Sequence, residues 1–139
     1  MKEMDSKVRL IDLETVQTSD ICKIICDYYI DAELDGDGDV LIKQPERFFL
    51  KVDPQFTMLR FFSFVTVQDQ EDPEFLELLD DVNSASSSVK YSRVSNSVMM
   101  EYGVPLFGYI DHKHLIRLVR HFEEEMKTLK MVLHGFLEE

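Results

Sequence analysis

Apolar positions along this chain recur at two different periods, and the switches between them mark out its elements. Leu115, Val119, Phe122, Met126, Leu129, Leu133 and Phe136 are spaced alternately four and three apart. Such a seven-residue repeat forms one stripe along a helix. A long helix is therefore predicted from a cap at Asp111 toward Glu139, with Gly135 closing it and Phe136 folding back toward Met131 as in a Schellman end. Ile116, Leu118, Val132 and Leu137 widen the stripe enough to serve both a sheet and a partner, while Glu123 and Lys127, one turn apart, are placed on the outer face. A first helix, capped by Thr18 or Ser19 and ending near Ile30, would bury Ile21, Ile24, Ile25 and Tyr28. Asp72-Pro73-Glu74 starts another: an acidic cap, a proline at the first position and an acid in the first turn. Phe75, Leu76, Leu79 and Val82 are its expected buried face, and Asn83 with the serine-rich loop after it marks its end.

Between these helices the period drops to two. Ala32–Leu34 and 40–43 read as the arms of a hairpin closed by Asp35-Gly36-Asp37-Gly38-Asp39, where glycine permits positive φ. In 47–52, Phe48, Leu50 and Val52 share a face. The aromatic and β-branched run 56–67 suits the central strand of an antiparallel sheet. Segments 89–94 and 98–106 alternate as two further strands, with Pro105 indicating an edge or a strand end. Residues 1–17 read as an extended arm or part of the first helix. The fold class is thus α+β, a twisted antiparallel sheet flanked by helices in the order α-β-β-β-(β)-α-β-β-α, with an arm over 1–17 and one domain over 18–139.

A helix leading into Asp35–Val40, the stretch Phe75–Val82 followed by Asn83, and a strand from Val89 containing Lys90 resemble the YbjN-like family of small bacterial proteins. More distantly they resemble the type III secretion chaperones. The resemblance spans about residues 16–137; where the family often has a second asparagine, Ser86 or Ser87 stands here. It implies a sheet flanked by helices, frequently dimeric, and protein binding or regulation rather than catalysis, since such proteins are described as candidate sensory or stress regulators. The secretion chaperones grip an unfolded partner segment on sheet and helix surfaces.

Composition narrows the function. The chain has 139 residues and a net charge of −12, from 27 acids against 15 Lys and Arg. That surface repels phosphate backbones, which argues against nucleic acid and favours basic partners. No apolar run reaches membrane-spanning length, the first residues lack a secretory h-region, and two cysteines suggest a reducing cytoplasm.

No motif assembles a nucleophile, a base and an orienting group, so no catalytic residue is assigned, and neither is a cofactor or a metal. Asp35, Asp37 and Asp39 with Glu46 imitate an EF-hand, but Val40 stands where that loop needs glycine. Cys22 and Cys26, one turn apart, have no neighbouring ligands and read as core or semi-core. His112, His114 and His121, with Glu125, read as exposed helix residues. From Gln68 to Asn83 there are seven acids and no Lys or Arg, which reads as a wet helix face able to steer a basic partner.

The expectation is a non-enzymatic protein-binding module, chaperone-like or regulatory, cytoplasmic and homodimeric. Partner or dimer contact is placed at Phe61, Phe64, Leu115, Phe122, Met126 and Leu129. The alternative is a small-molecule sensor with an apolar pocket lined by Tyr28, Phe61 and Met100.

Overall fold

The computed structural model describes residues 9–86 and 88–137. Its elements run β1 (Leu10–Asp12), α1 (Thr18–Asp27), β2 (Ala32–Leu34), β3 (Val40–Ile42), β4 (Phe48–Asp53), β5 (Met58–Thr66), α2 (Pro73–Ala85), β6 (Lys90–Val94), β7 (Ser97–Pro105), β8 (Tyr109–Asp111), α3 (His112–Val132) and a short 3-10 turn (His134–Phe136). Six strands form one antiparallel sheet in the order β2-β3-β4-β5-β7-β6, and β1 pairs with β8 in a separate ribbon. The α+β class and the expected order hold from α1 to α3, with four strands between α1 and α2. The long aromatic run is the inner strand β5, and Pro105 sits at the end of an inner strand, not on an edge.

Strand alternation divides the sheet into two unlike faces. Leu59, Phe61, Val65, Val40, Ile42, Phe48, Leu50, Val98 and Met100 join Ile21 and Ile25 of α1, Phe75 and Leu79 of α2 and the stripe of α3 in one core. Phe122 is the hub, its ring centroid 5.0 Å from that of Phe48 and 5.8 Å from that of Phe61. The helical stripe behaves as its period requires: Leu115, Val119, Phe122, Met126, Leu129 and Leu133 are all buried.

Several local expectations are corrected. The cap of α1 is Gln17, because the Asp20 carboxylate accepts from its backbone N–H; the Thr18 hydroxyl instead accepts from Val52 N–H and ties the helix to β4. The helix ends at Asp27, before Tyr29 turns to a φ of 63°. Leu76 is exposed, and Asn83 lies inside α2. Glu123 is only 3% exposed and is held by Arg120 at 2.9 Å, not by Lys127, which pairs with Glu124. No Schellman fold-back closes α3. Phe136 packs edge-on against Phe75 at 5.5 Å, its carbonyl accepts from Gln68 N–H, and Leu137 bridges to Val67.

The ribbon was not foreseen. Of the arm expected over residues 1–17, residues 1–8 lie outside the described residues. Residues 10–12 are strand β1, and Ile11 and Leu13 enter the core.

Candidate partner-binding surfaces

The first surface is the sheet face that the helices leave bare. Residues paired across neighbouring strands share a face, so Leu41, Phe49, Phe62 and Glu101 form one row, and Phe64 with Met99 begins the next. Phe49 and Phe62 stack at 5.3 Å, with their planes 15° apart. Phe64 beside them is 48% exposed. At the centre of this face the Arg60 guanidinium lies 5.4 Å from the Phe62 centroid and 5.8 Å from that of Phe56. It also bridges Asp53 at 3.3 Å and Glu101 at 3.2 Å. A cation seated between two rings and two carboxylates is fixed, which stiffens the aromatic patch around it. On its paired strands the charges of this face are Lys51, Arg60 and Lys90 against Glu33, Asp53 and Glu101, and at its margin Lys43 is bonded to Glu33 while Asp39 is close enough to Lys51 and Arg60 to feel both. It is therefore balanced, on a chain whose net charge is −12.

The second surface is a groove between α2 and α3. Leu78, Asp81, Val82 and Ala85 form one wall, Glu125, Thr128 and Val132 the other, and Tyr91 of β6 the floor, around a cavity of about 380 Å³. The Tyr91 hydroxyl donates to Glu125 Oε1 at 2.6 Å. Burial, and then that bond to a carboxylate, hold the phenol well above its ordinary pKa. Beside the groove the edge at β6 is already bonded at Val89 and Tyr91. Asn83 Nδ2 donates to the Tyr91 carbonyl, Asn83 Oδ1 accepts from Tyr91 N–H, and Ser86 Oγ accepts from Val89 N–H. A helix side chain thus fills the place of a neighbouring strand and blunts the edge.

Of the six residues expected at a partner or dimer contact, Phe61, Leu115, Phe122, Met126 and Leu129 are buried within the chain, and Phe64 alone offers substantial surface. Phe61 and Met100, assigned to a sensor pocket, are fully buried in the core. Neither they nor Tyr28 line the groove. Sequence reasoning missed this groove. Its signal was a second stripe on each helix, Leu78-Val82-Ala85 and Glu125-Thr128-Val132, rotated away from the main one.

The other candidates are dispersed. The Asp35 carboxylate accepts from Asp37 N–H and Asp39 N–H, as an Asx turn does. Glu46 is bound to Lys130 of α3 at 2.7 Å, which engages the carboxylate it would have to offer to the turn. Cys22 is buried and Cys26 is exposed, its thiol donating to the Ala32 carbonyl. Burial, and then the neighbouring Cys26, push the Cys22 thiol up to about 11. His121 Nε2 lies 3.2 Å from Ser88 Oγ, and His112 and His114 do not join it. Among the described residues no three His, Cys, Asp or Glu side chains converge as a metal site, and no helix is long and apolar enough to cross a membrane.

Among solved structures, YbjN from E. coli, a candidate transcription regulator, matches with a TM-score of 0.67 at 12% identity, over 87% of this chain and 95% of YbjN. The fold is YbjN-like. At that identity the likeness is one of architecture. No protein-family model and no curated protein sequence matches the chain.

Proposed function

We propose that this protein is a non-enzymatic, cytoplasmic protein-binding module with a regulatory or chaperone-like role, and that it acts as a homodimer through the bare face of its sheet. The uncovered aromatic row carries this reading. A sheet with one face in the core and one in water ordinarily alternates apolar and polar residues. Here the wet face instead holds Phe49, Phe62, Phe64 and Met99 around a fixed arginine. Contiguous apolar surface of this kind marks an interaction site.

The occupant proposed is a second copy. The face is the charge-balanced part of an acidic molecule, so two copies meet there with least repulsion. Lys51 and Lys90 of one copy can also face Glu33 and Glu101 of the other. The α3 stripe cannot serve, since its residues are spent against the sheet. The architectural likeness to a candidate transcription regulator supports regulation. The acidity of the chain directs that regulation toward protein partners and away from DNA. Light scattering tests the assembly: twice the chain mass at micromolar concentration is expected, and a monomer there overturns it.

A further inference from the structure

The groove between α2 and α3 differs from the bare sheet face in shape and in charge. Its walls run from Leu78 to Ala85 and from Glu125 to Val132. Seven residues of helix rise about 10 Å, two turns, so the groove is as long as two turns of a third helix laid beside them. The walls are apolar and the rim is acidic. Asp81 and Glu125 border the cavity, and Glu74 and Glu77 continue the Asp81 row along a helix that has no Lys or Arg. Glu125 offers two oxygens, of which Oε1 takes the Tyr91 hydroxyl.

These features select the occupant. An extended strand would need free backbone groups, and the adjoining edge groups of Val89 and Tyr91 are already bonded to Ser86 and Asn83. A second copy would bring an acidic surface to an acidic rim. We infer that this groove docks a basic amphipathic helix of a partner protein, with apolar side chains at i and i+3 or i+4 between the walls and Lys or Arg facing Asp81 and Glu125. This rests on reading the chain as a protein-binding module, and it names the partner's chemistry. Apolar anchors would supply affinity, and the acids would select for positive charge and speed encounter.

The test is selection from a displayed library of 14-residue helical peptides against the full chain. Enrichment of net-positive peptides with that apolar spacing is expected, with binding that weakens as salt rises. Ala85→Tyr, which fills the cavity from an exposed helix position, should weaken the selected peptides by at least about tenfold. Asp81→Asn combined with Glu125→Gln, which keeps an acceptor for Tyr91, should weaken them by roughly tenfold. No enrichment, enrichment of neutral or acidic peptides, or unchanged binding to a folded Ala85→Tyr variant would overturn the inference. The assembly reading fails separately. Ala85→Tyr should keep the wild-type mass, and Phe64→Asp should keep the peptide even as it lowers that mass.

Discussion

The side chain of Asn83 grips the main chain of Tyr91 from both sides, Nδ2 donating to the carbonyl at 2.7 Å and Oδ1 accepting from the N–H at 2.8 Å. One amide thereby anchors α2 to the outermost strand and completes the backbone hydrogen bonding of Tyr91. Asn83→Ala leaves both backbone groups unpaired at a half-buried site, and should cost about 1–3 kcal/mol. Asn83→Asp should be worse, because a carboxylate cannot donate to the carbonyl it would face. Urea unfolding measures both. A midpoint unchanged in Asn83→Ala would mean that water replaces the amide at no cost.

Phe122 sits between Phe48 and Phe61, at the meeting of α3 and the sheet, with no exposed surface. Phe122→Ala should destabilise the domain by about 3–5 kcal/mol through lost transfer energy and the cavity left behind. Phe122→Asp should prevent folding, since a carboxylate there has no partner. Retention of the wild-type melting temperature by either variant would remove Phe122 from the core.

Phe64 tests the opposite face. Because it is half in water on the sheet face opposite Phe61, Phe64→Ala should change the stability of the monomer by no more than about 0.5–1 kcal/mol. Phe64→Asp places two like charges against each other across the proposed dimer axis, so its mass by light scattering should fall to one chain while its circular dichroism stays native. A variant that remains dimeric would move the interface elsewhere.

The two cysteines should separate chemically. Iodoacetamide is expected to modify exposed Cys26 in the folded protein and to reach buried Cys22 only on unfolding. The pH dependence follows in sign. The folded-state pKa of Cys22 is raised from 9.0 to about 11, so the fold favours the neutral thiol. Its contribution is complete below the ordinary thiol pKa and is lost as pH rises from near 9 to about 11. Stability against urea should fall across that range in the wild type and fall less in Cys22→Ala. Identical slopes would show that Cys22 is not desolvated in the native state.

Periodicity carried most of the architecture. The four-three spacing from Leu115 to Leu133 identified the buried side of α3 because each residue falls on one narrow stripe, and the alternation in 56–67 found the inner strand. Three-residue strands escaped. Leu10–Asp12 and Tyr109–Asp111 are too short to show a period, and their pairing is a tertiary fact. Glu123 was assigned to solvent by its chemistry, but its position on α3 faces inward and Arg120 neutralises it. The partner surface was legible only in part. Period two shows that Phe61 and Phe64 point to opposite sides of the strand, but which side the helices cover is settled by how the whole chain folds. The groove needed two helices brought together, which neither stripe alone reveals.

The ribbon of β1 and β8 joins Leu10 to Asp111. On the ribosome the first of these residues emerges long before the second. The strand pairing on either side of Ile11 must therefore wait until β8 has been made. Strand β1 is thus a late closure, a clasp that engages only after α1, the six-stranded sheet and α2 have emerged. A nascent protein stalled before Tyr109 would carry β1 with its backbone groups unpaired, as a ready mark for chaperones and proteases.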